Sequence, residues 1–235
     1  MKLIIKDKQF YKTVASIAIP IALQGLITTG VNMMDTIMIG AVGETELSAV
    51  SLANQFISIF QIFCMGIGMG ASVLVARYFG MKDNLSLKKT VTIMLRLVLI
   101  MSTLFCVGTI LFPKQIMQIY TVESDIIANG IEYLNYSIVT YYLLGLSLTC
   151  TIVLRNVGMV KIPLYTSIAA FFINVGANYM FIFGKFGAPE MGVAGAALAT
   201  IISQTVSAIW VLRFLFGKKV TVPLQVKNVR IKKET

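Results

Sequence analysis

Residues 23–40 read LQGLITTGVNMMDTIMIG, and this stretch decides what kind of protein the chain is. It is apolar enough to lie in a bilayer, yet it carries Gln24, Thr28, Asn32 and Asp35. At about 100° of rotation per helical residue, these four fall in one narrow stripe of a helix. Asp35 is the only carboxylate of the chain with long apolar sequence on both sides. A charged Asp near a bilayer centre costs roughly 2.5–3.5 kcal/mol on insertion scales, so an acid kept there is a candidate for function. The remainder of the chain reads as a scaffold around that stripe.

Composition supports an all-α, polytopic membrane protein. Of the 235 residues, 57% are hydrophobic and 13% charged, and the mean hydropathy is +0.83. A soluble domain carries nearer a quarter of charged residues. Histidine is absent, which removes His-based metal sites and catalytic triads. Cys64, Cys106 and Cys150 each lie far apart in apolar runs, and read as small core residues rather than a disulfide framework or a zinc site. No enzyme constellation is present, and no cofactor is expected. The net charge of +10 would suggest nucleic acid for a soluble protein. Here its distribution points to a lipid bilayer instead, with no nucleic-acid partner.

Six apolar spans are each long enough to cross at about 20 residues per helix: 14–39, 47–78, 91–112, 131–154, 163–183 and 193–216. Turn signals separate them: GAVGETE at 40–46, FGMKDNLS at 79–86, PKQ at 113–115, RNVGMVK at 155–161 and GKFGAPEMG at 184–192. The second span exceeds what a bilayer requires, so it should tilt or protrude. The more polar stretch 120–130 reads as a surface turn, with Ser124 and Asp125 as caps for the fourth helix. The expected division is a cytoplasmic tail at 1–12, a six-helix lobe at 13–217, and a basic cytoplasmic tail or linker at 218–235. With the N-terminus inside, all but Lys114 and Lys185 of the 20 lysines and arginines fall on the cytoplasmic side. The positive-inside rule therefore predicts a multi-pass protein of the cytoplasmic (inner) membrane with both termini cytoplasmic.

Outside the first span, polar residues cluster at helical spacing. The GIGMG run at Gly66–Gly70 has no strand before it, so it reads as a small-xxx-small packing step and not as a phosphate loop. Asn174 and Asn178 are four apart in AFFINVGANYMFIFG and face one way. Thr200, Ser203, Gln204 and Ser207 do likewise in GVAGAALATIISQTVSAIW. Such groups serve either interhelical hydrogen bonds, worth about 0.6 kcal/mol each in membranes, or a polar path. In the fourth span Tyr133 fits an interfacial aromatic belt, whereas Tyr136 and Tyr141 lie deeper and are candidates to line a cavity with Gln24, Thr28, Asn32 and Gln204.

The run AIPIALQGLITTGVNMMDTIMIGAVGETELSAVSLANQ resembles the first helix and following loop of the multidrug and toxic compound extrusion (MATE) transporters. LRNVGMVKIPL, INVGANYMFIFG and GVAGAALATIISQ resemble that family's fourth to sixth helices. The similarity covers nearly the whole chain. It implies one six-helix lobe of a twelve-helix transporter whose two lobes are related by pseudo-symmetry around a cavity. It also implies export of small organic, cationic amphipathic compounds in exchange for Na⁺ or H⁺. The coupling site carried over from the resemblance is Asp35 with Asn174 and Thr200, a possible Na⁺ site. The family often has a second carboxylate where this chain has Asn178. One Asp with one Na⁺ or one proton is neutral, so the loaded site carries no net buried charge.

Two other readings stand beside antiport. A lipid-linked oligosaccharide flippase of the same superfamily would be expected to hold Arg or Lys deep in its spans, and here Arg96 sits near a cytoplasmic end and no other basic residue is deeper. A truncated, inactive half-transporter or interaction fragment is the third reading, because one lobe lacks the opposing wall that alternating access needs. A second six-helix lobe or a homodimer would supply it.

Overall fold

The structure is a computed structural model, and it describes residues 8–216. The basic tail at 218–235 and most of the N-terminal tail lie outside the described residues. Eight helices follow in chain order, and no strand occurs among the described residues: α1 (Lys8–Gly40), α2 (Glu44–Gly80), α3 (Asn84–Leu111), α4 (Pro113–Gln118), α5 (Ser124–Ser137), α6 (Thr140–Asn156), α7 (Lys161–Ile182) and α8 (Gly192–Leu215). Five of them are long and apolar enough to cross a membrane singly, and α5 with α6 meets the same measure only when the bent pair is taken as one span.

The long helices end where local chemistry ends them. α1 stops at Gly40, and α2 opens with Glu44 and Glu46 in its first turn, where carboxylates complement the positive end of the helix dipole. Its 37 residues span about 55 Å at 1.5 Å per residue, well beyond a hydrocarbon core of about 30 Å. At the start of α3 the Asp83 side chain accepts the Ser86 backbone N–H at 3.1 Å, satisfying one of the four donors that a helix start leaves free. Hydrogen bonds from the Ser86 side chain and backbone hold the Asp83 carboxyl below its ordinary value of 3.8.

The fourth span departs from the expected single helix over 131–154. The helix begins earlier, at Ser124, breaks after Ser137, and resumes at Thr140 with a bend of 58°. The stretch 120–130 is thus a surface turn only as far as Glu123. Glu123, not Ser124 or Asp125, is the N-cap residue, and it makes no side-chain capping bond. The PKQ turn signal at 113–115 instead starts the short helix α4, with Pro113 in its first turn, where the missing N–H is no loss.

Two buried clusters hold the lobe together. One contains Phe60, Phe105, Met117, Leu134 and Tyr141 with Ile182, and the other Val75, Leu87, Met94, Leu154 and Leu215. α7 and α8 are the most extensively packed pair, and Gly195 permits it. A side-chain carbon at Gly195 would stand 2.5 Å from the Phe181 carbonyl oxygen and 2.6 Å from its carbon. The GIGMG run packs differently from the small-xxx-small expectation. Gly66 and Gly70 meet nothing within 4 Å, whereas Gly68 lies against Ile152 of α6. Two residues along a helix turn the face by about 200°, so the close approach falls on the middle glycine. The three cysteines are free, with Cys64 and Cys150 buried.

Candidate functional site

The helices enclose a cavity of about 760 Å³ whose walls come from α1, α2, α5, α6, α7 and α8. The α1 stripe faces it in full, because Gln24, Thr28, Asn32 and Asp35 all line it. Thr28 and Thr36 turn their hydroxyl protons to the carbonyls four residues back, at 3.0 and 2.8 Å. That leaves their oxygen lone pairs as acceptors on an otherwise apolar helix.

Asp35 lies five residues before the end of α1 and is tied to α7. The Asn178 side-chain amide donates to Asp35 Oδ1 and also to Asn174 Oδ1, the latter at 3.2 Å. Both asparagines are buried. Asn174 reaches the cavity surface, and Asn178 sits behind it. One consequence is an orphan: Asn178 Oδ1 is enclosed and has no hydrogen-bond partner, which carries a desolvation cost of about 1–3 kcal/mol. Thr200 and Gln204 of α8 also line the cavity. The Thr200 hydroxyl donates to the Ala196 carbonyl at 3.1 Å, so its lone pairs remain available. Among the described residues no group of three or more His, Cys, Asp or Glu could hold a metal ion. The cavity wall instead offers one carboxylate, Asp35, with the neutral amide oxygen of Asn174 and the hydroxyl of Thr200, oxygen types that a hard cation takes.

The tyrosines reverse the expected assignment. Tyr133 is 4% exposed and lines the cavity. Its hydroxyl donates to Asn54 Oδ1 of α2 at 3.2 Å, with Ser137 and Thr200 also within hydrogen-bonding reach. It therefore faces inward and belongs to no interfacial belt. Tyr136, at 43% exposure, turns away from the cavity, and Tyr141, at 1%, is locked in the core. The Tyr141 ring packs edge-on against Phe60 with centroids 5.2 Å apart, and its hydroxyl accepts from Thr109 at 3.0 Å. Helical phase is the physical reason. The lining stripe runs on through the break, with Tyr133, Ser137, Thr140, Leu144 and Ser147 facing the cavity at steps of four, three, four and three, and at about 100° per residue Tyr136 and Tyr141 fall to either side of it.

Several lining residues escaped the sequence reading. On α2, Ser51, Asn54, Ser58 and Gln61 form a second polar stripe opposite the first. Its spacing of three, four and three was visible, but serine is common enough in helices to mask it. Arg155 is the larger miss. Read as part of a cytoplasmic turn, it sits in the last turn of α6 and lines one end of the cavity. Its guanidinium Nη2 donates to Gln24 Oε1, while Gln24 Nε2 donates to Ser167 Oγ of α7 at 3.0 Å. Arg155 is the one basic residue among those lining the cavity, and it reaches the cavity from the last turn of its helix and not from deep in a span.

The family profile described as MatE matches residues 20–180, more than half of the chain. The probable multidrug resistance protein NorM of Thermotoga maritima is 28% identical over 197 residues, which cover 84% of this chain and 42% of that relative. The multidrug resistance protein NorM of Vibrio parahaemolyticus is 25% identical over 224 residues, covering 95% of this chain and 48% of the relative. Among solved structures, an outward-facing multidrug resistance MATE family transporter of the MOP superfamily matches with a TM-score of 0.83. It is 21% identical, with 95% of this chain and 49% of that one covered, and at that identity the likeness bears on the fold. The chain spans about half the length of the curated relatives it matches, and its architecture is that of one lobe of a larger transporter. Helices suited to crossing a membrane, a polar cavity among them and a family profile over most of its spans lead to one conclusion: this multi-pass membrane protein belongs to the MatE family of transporters.

Proposed function

We propose that this chain acts as the ion-coupling lobe of a secondary antiporter that exports cationic amphipathic compounds across the cytoplasmic membrane. Entry of Na⁺ or H⁺ at Asp35 drives it. The observation that carries this reading is the setting of Asp35: an acid on a cavity wall, hydrogen-bonded by Asn178, with no ion-pair partner among the described residues. An unpaired carboxylate is a poor structural glue inside a membrane, and a carboxylate that must be neutralised before it changes environment is a coupling device.

Na⁺ is accommodated by the Asp35 carboxylate with Asn174 Oδ1 and Thr200 Oγ1. Rotation of the Asn178 amide would exchange its donor for the enclosed, unpartnered oxygen and add a further ligand. A proton is accommodated by the same rotation, since protonated Asp35 then donates where it had accepted. Either load leaves the site neutral. Export requires an opposing wall, which we assign to a second six-helix lobe or a second copy of this chain. Both termini are placed in the cytoplasm, on the strength of the lysine and arginine distribution.

The flippase reading gains only Arg155, which lines the cavity from the last turn of α6 and not from deep in a span. Antiport of drugs nevertheless remains the better reading, since the relatives above are named as multidrug resistance proteins. Dye export from proteoliposomes tests it, first with a Na⁺ gradient at fixed pH and then with a pH gradient free of Na⁺. Movement in the first arm alone identifies Na⁺ coupling, and in the second alone H⁺ coupling. Movement in neither arm refutes the reading and favours an inactive fragment.

A further inference from the structure

The cavity is lined by two residues charged at neutral pH, Asp35 and Arg155, and only Asp35 has a role so far. Between them runs a row of hydroxyls. It begins at Thr200, which like Asp35 stands close to the Tyr133 hydroxyl, and continues along α8 through Ser203 to Ser207. There it passes to α6, where the Ser147 and Ser207 hydroxyls share a hydrogen bond of 3.0 Å. Ser147, Thr151 and Arg155 then line the cavity at steps of four, one above the other on a helix face. Polar oxygens in series inside a membrane lobe mark a route for an ion or a proton. Such a route is a liability in an antiporter, because an ion that runs its length dissipates the gradient without moving substrate.

Arg155 ends the row, and its guanidinium stays charged at any physiological pH. It is held from two other helices. Its Nη2 donates to Gln24 Oε1 of α1, and Gln24 Nε2 donates to Ser167 Oγ of α7 at 3.0 Å. Both ends of the Gln24 amide are thereby engaged, and the contact brings no negative charge to the guanidinium. α1 and α6 scarcely pack on one another, so this bridge spans the cavity's end rather than lying within a packed seam. Asp35 is eleven residues from Gln24 along α1, about 16 Å at 1.5 Å per residue, too far to neutralise it. A fixed arginine at the end of a polar path raises the energy of an approaching cation. We infer that Arg155, positioned by Gln24 and Ser167, is a charge barrier that keeps a cation loaded at Asp35 from crossing the lobe along the hydroxyl row. Ion entry then stays tied to export. This rests on the export reading above, but not on the identity of the substrate or of the ion. The barrier hangs on one side-chain bridge, so an ion passes this end only when α1 and α6 change their separation and the guanidinium leaves its place.

Cation entry into proteoliposomes of the purified full chain, with no export substrate present, is the test. Labelled Na⁺ and an internal pH dye report the two candidate ions, and labelled Cl⁻ reports general leakiness. Entry through the parent is expected to be slow. Arg155→Gln is expected to raise entry of the coupling cation about tenfold, the low end of what a charged cleft does to local ion concentration, with Cl⁻ entry unchanged. Arg155→Lys keeps the charge and is expected to stay near the parent's rate, which also guards against a glutamine variant that folds poorly. Cation entry by Arg155→Gln at the parent's rate overturns the barrier. So does entry of Na⁺, H⁺ and Cl⁻ alike, or an Arg155→Lys as leaky as Arg155→Gln, either of which makes Arg155 only a tie between α1 and α6. These outcomes leave the export reading intact where the parent still exports dye. A parent that exports no dye under either gradient removes that reading, and the barrier with it.

Discussion

Replacing Gly195 by alanine probes the helix pair that carries most of the candidate ion site. α7 brings Asn174 and Asn178, and α8 brings Thr200. These helices pack so closely at Gly195 that a Cβ there would meet the Phe181 carbonyl oxygen at 2.5 Å and the Ile182 nitrogen at 2.9 Å. Those neighbours are backbone atoms and cannot swing aside, so the helices must separate, at an overpacking cost of about 1–3 kcal/mol. Gly176, on α7 itself, has nothing within 4 Å. Alanine there has only its helix propensity to express, a gain of about 0.8–1.0 kcal/mol over glycine. The two variants should thus differ by about 2–4 kcal/mol. At about 2–4 °C per kcal/mol for a chain of this size, they should melt at least about 4 °C apart, with Gly195→Ala the lower. The buried thiols of Cys64 and Cys150 make a thiol-reactive dye the natural reporter of unfolding in detergent. Melting within 1 °C of each other, or a more stable Gly195→Ala, would refute the close approach.

Two further substitutions separate neighbouring roles. Tyr133→Phe should cost about 0.5–1.5 kcal/mol by leaving Asn54 Oδ1 without its donor, and should shift the apparent ion affinity because Thr200 lies beside that hydroxyl. Tyr136→Phe, on the outward face, should stay within about 0.5 kcal/mol of the parent, and ion titrations of both variants check the contrast. At the α2–α3 turn, Asp83→Ala should lower the melting temperature at neutral pH, whereas Asp83→Asn should keep the cap. Because the Asp83 carboxyl is held below its ordinary value of 3.8, its contribution is complete above that value and fades as the pH falls through the depressed one. Melting curves of parent and Asp83→Ala should therefore converge only in strong acid.

Much of this was legible in the residues because helices project a simple period. Gln24, Thr28, Asn32 and Asp35 reach the cavity together because nothing interrupts the phase of α1 between them. The i and i+4 spacing of Asn174 and Asn178 likewise survives in their hydrogen bond. What failed depended on tertiary structure. The break at 138–139 carries neither proline nor glycine, and beside it the Ser102 hydroxyl of α3 takes the Tyr141 carbonyl at 3.1 Å. Local chemistry does not announce such a bend. The tyrosines were misread because depth was used to sort them, whereas Tyr133 lies on the stripe of 133, 137, 140 and 144 that faces the cavity and Tyr136 and Tyr141 flank it. Arg155 was misplaced for a different reason. Charge statistics assign a basic residue to a side of the membrane, but its long side chain runs back along the helix, here to Gln24, 131 positions earlier in the chain.

Gradient-driven export by Asp35→Asn, measured beside the parent in the same proteoliposomes, tests the coupling role proposed for Asp35 most directly. The substitution keeps the side chain's size and removes its charge, so a folded but uncoupled protein is expected, with export lost under both Na⁺ and pH gradients. Export at the parent's rate under either gradient would contradict the assignment of Asp35 as the coupling carboxylate.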